Sequence, residues 1–143
     1  MVVVLIIAIV LAIAIPTFLG ARERANDRAA QSDLRNAHTN ELVWFADNRS
    51  GEPFTDDPSK LVQLDASLDW TDDPDDLEDV EGSIYVDLTT VNGQPAVVVA
   101  TKSRPGTCFW LRAVANEDHP RFAENDCTIP ADLNLLAFLP AWD

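Results

Sequence analysis

The first twenty residues of this chain lack Asp, Glu, Lys, Arg and His altogether. An apolar run of about 18 or more residues is long enough to cross a bilayer as a helix. A small domain cannot bury such a run on all sides, so the absence of charge excludes an ordinary solvated surface. It predicts that residues 1–20 lie in lipid, or in a core that several copies of the chain build together.

The chain also lacks the short motifs that carry catalysis. It contains no Gly-x-Ser-x-Gly, no His-Glu-x-x-His and no glycine-rich phosphate loop. Its two histidines, His38 and His119, have no cysteine or carboxylate at ligand spacing, which favours surface positions over a metal site. We therefore expect no enzymatic activity, no cofactor and no metal.

Basic residues are scarce beyond residue 50. Residues 21–50 hold five basic and five acidic groups, whereas residues 51–143 hold 19 of the 24 acidic groups and five of the ten basic ones. The whole net charge of −14 therefore lies in the second part of the chain. Such an acidic surface argues against binding to nucleic acid. It favours solubility outside the cell, cation uptake or a salty habitat.

A helical composition follows the apolar run. Residues 21–37 are rich in Ala and Arg and contain no Gly or Pro. Small or apolar residues recur at steps of three and four, and Gly51 and Pro53 end the pattern. One helix of roughly 75 Å is predicted from the apolar run to about Arg49, with Trp44 and Phe45 packed on a sheet. Its charges balance, so copies of it can pack side by side without net repulsion.

Three strands are predicted in the second part of the chain. Residues 83–90 alternate apolar and polar side chains, Asn92-Gly93 is a strong hairpin turn signal, and residues 95–101 and 107–114 are apolar runs. Short turns join them into an antiparallel meander that the helix covers on one face. The predicted fold class is α+β, with parts at 1–20 (membrane or core helix), 21–50 (amphipathic helix) and 51–143 (acidic head).

Three further segments have open interpretations. Residues 60–68 fit a short helix or an extended piece. Residues 69–81 hold eight acids and no base, which indicates a solvated loop; calcium ligation is the alternative, although the spacing differs from the known calcium loop. The apolar tail 131–142 is interpreted as head core, with a contact to a neighbouring subunit as the alternative.

Up to about residue 37 the chain resembles the N-terminal helix of bacterial type IV pilins. The likeness combines the apolar run, the step Ala14-Ile15-Pro16, and Gly20-Ala21 followed by an Arg-rich helix. The resemblance implies a subunit of a surface filament whose helices form the core and whose heads form the outer wall. It implies copies of itself as partners, with an inner-membrane assembly platform and a prepilin peptidase. The chain would lie in the membrane before assembly and in an extracellular pilus afterwards.

The resemblance also assigns roles to residues of the apolar run. Pro16 and Gly20 are expected to weaken the helix, with a kink in the membrane and local melting between about Ala14 and Gly20 in a filament. The Thr17 hydroxyl is expected to satisfy a freed carbonyl. The side chains expected in the filament core or the membrane are Val2, Val3, Val4, Leu5, Ile6, Ile7, Ile9, Val10, Leu11, Ile13, Ile15 and Phe18.

Cys108 and Cys127 are the only cysteines, and both follow the apolar run on what should be its outer side. A disulfide persists there, and it would staple residues 115–126 onto the third strand. A C-terminal disulfide loop of this kind is similar to the one that type IV pilins carry.

Type IV pilins begin with a basic leader and have a glutamate shortly after its cleavage point. We expect both upstream of Met1, where the genomic sequence can be read directly. Two other functions share the apolar helix: a pseudopilin of a type II secretion system and a monomeric, membrane-anchored extracellular binding domain. Asn48-Arg49-Ser50 fits the N-glycosylation triplet, for which a chance match is favoured.

Overall fold

The computed structural model contains one long helix, followed by a sheet with two short helices. The structure describes residues 2–47, 51–130, 132–133 and 136–142, so the triplet Asn48-Arg49-Ser50 lies outside the described residues. The elements in chain order are α1 (Val2–Asp47), α2 (Pro58–Leu64), β1 (Asp69–Thr71), α3 (Pro74–Asp79), β2 (Ser83–Val91), β3 (Gln94–Lys102), β4 (Cys108–Val114) and β5 (Arg121–Asn125).

The strands form one five-stranded sheet in the order β1-β2-β3-β4-β5. The predicted meander is confirmed as β2, β3 and β4, which pair antiparallel. Asn92 (φ 50°) and Gly93 (φ 77°) both adopt the left-handed conformation that a two-residue hairpin turn requires. The sheet also has two strands that were not predicted, because β1 pairs parallel to β2 and β5 pairs antiparallel to β4. The α+β class is confirmed.

Both faces of the sheet are buried. Side chains alternate along β3, so Val97 and Val99 belong to one cluster while Val98 and Ala100 belong to the other. Helix α1 covers the first face with Ala30, Leu34 and Ala37. The second face is covered by Leu77 of α3, by the two cysteines and by apolar residues of the tail. A strand that is buried on both sides explains the continuous apolar run of β3.

The predicted packing of Phe45 on the sheet is wrong. Its side chain is 56% exposed, and Trp44 is half-buried with the Lys60 ammonium 5.2 Å from its ring centroid. The buried positions Ala30, Leu34, Ala37 and Glu41 recur at steps of four, three and four. Phe45 comes four residues after Glu41 and continues those steps, but it lines an open pocket beside the β4–β5 connection instead of being buried in the core.

The prediction that residues 69–81 form a solvated loop is wrong. It forms β1 and α3, with Trp70 and Leu77 buried. Asp73 caps α3 by accepting a hydrogen bond from the Asp75 backbone N–H, and Pro74 occupies the first turn, where its missing N–H costs nothing. Acidic side chains in that turn also interact favourably with the helix dipole. The carboxylates therefore start a helix, and Leu77 anchors it.

The disulfide between Cys108 and Cys127 is confirmed. The described part of the tail joins the core, as the favoured interpretation predicted. Leu133 is buried against the second face, and Leu139 pairs with Phe122 on the edge strand β5. Trp142 then packs on the face of the sheet that α1 covers, with its ring centroid 4.3 Å from that of Phe122. The tail thus wraps the open edge of the sheet and protects it from pairing with other chains.

We expect Cys108→Ser and Cys127→Ser each to lower the free energy of unfolding by about 3 kcal/mol, because the bond joins residues 19 positions apart and restricts the unfolded chain. Urea unfolding of the full chain in detergent micelles measures the change. Adding a reductant to the wild-type protein should reproduce the loss, and it should change neither variant further. Wild-type stability in both variants would contradict the prediction.

Candidate functional site

The first part of α1 presents an apolar surface on all sides. Every large apolar side chain from Val2 to Leu19 is at least 50% exposed, and the highest value is 70% at Val2. This range contains all the side chains that were predicted to lie in a filament core or membrane. A helix that is apolar around its whole circumference is stable only in lipid or among other helices.

The dimensions of this segment fit a bilayer. An 18-residue window of α1 has a mean hydropathy of 3.1, and none of it is buried in the chain. At 1.5 Å per residue such a window measures roughly 27 Å, close to the ~30 Å hydrocarbon core of a membrane. The helix is therefore long and apolar enough to cross a membrane.

The helix continues without interruption through the predicted weak point. Residues from Ala14 to Gly20 are helical although Pro16 has no N–H to donate to the carbonyl of Ala12. The Thr17 hydroxyl donates to the carbonyls of Ala14 (2.9 Å) and Ile13 (3.2 Å) rather than to that of Ala12. In the single chain the segment is therefore not melted, and melting in a filament stays a prediction.

Glu41 is a buried residue that was not among the predicted site residues. It is fully buried, and one oxygen, Oε2, accepts a hydrogen bond of 3.1 Å from the Thr55 backbone N–H. The other oxygen, Oε1, has no partner among the described residues. The sequence contains a pattern that predicts this burial. Glu41 follows Ala37 at the spacing of the buried stripe and occupies a position where an apolar residue is expected.

Burial changes the titration of this carboxyl. Loss of solvation raises the pKa of Glu41 to about 7; the Thr55 N–H opposes the rise and the nearby Asp56 carboxylate adds to it. Since the folded pKa is above the ordinary value of 4.5, the contribution of Glu41 to stability is complete below pH 4.5. It is lost as the pH rises to 7. Glu41 therefore favours the folded state more under acidic conditions, when its carboxyl is protonated and no charge is buried.

Both histidines border one pocket of about 190 Å³ between α1 and the β4–β5 connection. Phe45 and Phe54 contribute apolar walls, and Glu117 and Asp118 add carboxylates. His119 is exposed as predicted, whereas His38 is half-buried and burial lowers its pKa. Within the described ranges no group of three or more His, Cys, Asp or Glu side chains is arranged to hold a metal ion.

Comparisons with known proteins add no relative. No family model matches the chain, and neither a curated protein nor a solved structure matches it.

We expect Glu41→Gln to remove this pH dependence, because the amide keeps the acceptor for Thr55 but cannot ionise. Below pH 4.5 the variant should be close to the wild type in stability. Above pH 7 it should be more stable, by roughly 3 kcal/mol for a shift of this size. Urea unfolding of the full chain in micelles at pH 4.5 and pH 8 measures the difference.

Asp47→Asn, an exposed change on the same helix, is the matched control and should leave the pH dependence unchanged. The assignment would be contradicted if the difference in unfolding free energy between the wild type and Glu41→Gln were the same at pH 4.5 and pH 8.

Proposed function

We propose that this chain is the structural subunit of a type IV pilus-like filament. Residues 2–19 hold it in a membrane before assembly and then polymerise with the same segment of other copies. The observation that carries the proposal is the division of α1. One half is apolar and exposed on every side, while the other half is fixed to a folded head.

The continuity of α1 supports a filament over a tethered domain. The helix passes from the apolar segment into the head without a break, so no flexible linker separates the two. A head on such a rod has a defined position relative to the apolar segment, which suits regular packing of many copies. A tethered binding domain has no need of this, since a flexible linker is sufficient to hold it near a membrane.

The size of the apolar surface supports assembly as well. Soluble monomers rarely expose contiguous apolar patches larger than a few hundred Å². Here every large apolar side chain of an 18-residue segment is uncovered. Lipid satisfies this surface before assembly. Outside the membrane only the same surface of neighbouring copies satisfies it.

The head is suited to the outside of a cell. Its disulfide persists in oxidising compartments, and its excess of acidic residues keeps the surface soluble. The sequence resemblance to type IV pilins in the first 37 residues points the same way. The assembly platform and the prepilin peptidase remain partners that the resemblance implies.

The test of the proposal is electron microscopy of material sheared from cells that produce the chain, with mass-spectrometric identification of the filament subunit. Filaments made of this chain are expected. A pseudopilin would instead depend on an outer-membrane secretion channel, and a monomeric anchored domain would yield no filaments.

The double change Ile7→Asp with Ile9→Asp should abolish filaments. A charge near the bilayer centre costs about 2.5–3.5 kcal/mol on insertion scales, and a core of packed helices offers it no better solvation. The matched control is Val62→Asp with Val80→Asp, which alters exposed apolar residues of the head and should leave the yield unchanged. A normal filament yield from the Ile7 and Ile9 variant would defeat the proposal.

Pro16→Ala should give a shorter and stiffer filament, because the alanine N–H restores the hydrogen bond to Ala12 and removes the reason for local melting. The axial rise in a filament map and the extension under force measure the effect. Thr17→Val, which removes the hydroxyl without restoring that N–H, is the control and should keep the wild-type rise. An unchanged rise and extensibility in Pro16→Ala would remove Pro16 from the explanation.

A further inference from the structure

Three arginines form a stripe along α1. Arg24, Arg28 and Arg35 are all exposed and follow one another at steps of four and seven, which places them on one side of the helix. Arg35 lies over the ring of Trp142, with its guanidinium carbon 4.8 Å from the ring centroid. Arg24 and Arg28 are like charges four residues apart, an arrangement that destabilises an isolated helix.

No carboxylate within the described chain forms an ion pair with this stripe. The ion pairs among the described residues join Lys60 to Asp57, Arg104 to Glu81 and Arg121 to Glu117, and none of them includes a charge of α1. The guanidinium groups of Arg24 and Arg28 are therefore free to bind outside the chain.

A polar pocket of about 420 Å³ lies on the other side of the same helix. It opens between α1 and the end of β3. Its lining residues are Asn26, Ala29, Ala30, Asp33, Glu81, Gly82, Thr101, Lys102, Ser103 and Arg104.

Two hydroxyl groups in this pocket are buried without a partner. Thr101 is 1% exposed and Ser103 is 3% exposed, and neither hydroxyl makes a hydrogen bond within the described chain. Buried polar groups are nearly always paired, so an orphaned pair in one pocket indicates a missing partner. Burial also raises the pKa of the Asp33 carboxyl, which lies half-buried in the same pocket and is in none of the ion pairs of the described residues.

The cations that line the pocket already have partners. The Lys102 ammonium donates to the Glu78 carbonyl, and Arg104 pairs at 3.9 Å with Glu81, which lines the same pocket. What remains is a set of oxygen acceptors: the carboxylate of Asp33, the hydroxyls of Thr101 and Ser103, and the amide oxygen of Asn26.

We propose that this pocket binds the guanidinium group of Arg24 or Arg28 from a second copy of the chain. A guanidinium has five N–H donors and no acceptor, so it matches a carboxylate flanked by hydroxyl and amide oxygens. One inserted side chain satisfies both orphaned hydroxyls and gives Asp33 its counter-ion.

The placement of the two surfaces agrees with an open assembly. Arg24 precedes Asp33 by nine residues, so at about 100° per residue the two lie roughly half a turn apart on α1. When the arginine side chains and the pocket lie on opposite sides of one helix, each copy can bind the next one in the same way, which is a head-to-tail contact. Contacts of this kind build open helical filaments when the rotation does not close a ring.

This inference rests on the proposed filament, and its first test is filament mass in sheared material. Asp33→Asn and the double change Arg24→Gln with Arg28→Gln should each reduce it about tenfold or more, the factor expected for loss of one charge-assisted hydrogen bond. The matched controls are Asp47→Asn on the same helix and Arg121→Gln, whose arginine pairs within the head; both should assemble normally. Asp33→Arg combined with both Arg24→Asp and Arg28→Asp should recover the filaments that Asp33→Arg alone loses.

Cross-linking identifies the contact directly. The two native cysteines are bonded to each other, so introduced cysteines react alone. Ala29→Cys at the pocket combined with Gln31→Cys on the arginine side of α1 should give a ladder of multimers with a short bismaleimide on filaments, because neither residue makes the proposed contact. The single variants should give no ladder, and Asp47→Cys with Gln31→Cys should give none either.

The outcomes separate this inference from the proposed function. If the wild type forms filaments and Asp33→Asn assembles normally, the arginine contact alone is overturned. The same follows if filaments form but the cysteine variants give no cross-linked ladder. Loss of wild-type filaments on calcium chelation, with Arg24 and Arg28 variants unaffected, would assign the pocket to a cation and also overturn it. Absence of wild-type filaments would overturn the proposed function and the contact together.

Discussion

The contact of Ala30, Leu34 and Ala37 with one face of the sheet determines how the rest of the molecule is placed. It uses only the second half of a rod of roughly 70 Å, so the first half must project beyond the head with its apolar side chains uncovered. Small side chains at two of the three positions let the helix lie close to the strands, and β3, buried on both faces, provides a rigid support. The apolar segment therefore has a defined direction relative to the head.

The charges follow the same division. The apolar segment has none, residues 21–50 balance five acids with five bases, and residues 51–143 carry the whole net charge of −14. Heads of like charge repel one another, so copies that assemble need attraction along the helices that outweighs this repulsion. Apolar burial of residues 2–19 provides it in the proposed filament. An arginine contact along α1 would add direction to an attraction that is otherwise not specific.

Most polar groups that burial leaves unpaired among the described residues lie along or beside α1; Arg112 Nε, over the Phe138 ring on the other face of the sheet, is an exception. Glu41 has one free oxygen under the loop of Thr55, and Thr101 and Ser103 face a pocket beside Asp33. Departures from the usual rules of burial tend to coincide with functional surfaces, where stability is given up for a binding contact. Here they coincide with the helix through which the copies are proposed to meet.

Local patterns in the sequence were sufficient for the elements whose signals are local. The uncharged run, the Ala- and Arg-rich stretch and Asn92-Gly93 predicted α1 and the central hairpin, because helix and turn formation depend on neighbouring residues. Three features were decided only by the tertiary structure. Phe45 stays exposed at the pocket between α1 and the β4–β5 connection, the acidic segment folds because Leu77 packs on the far face, and Asp33 lines one pocket with Thr101 and Ser103 because α1 crosses the end of β3. Each depends on contacts between residues distant in sequence, which no local periodicity encodes.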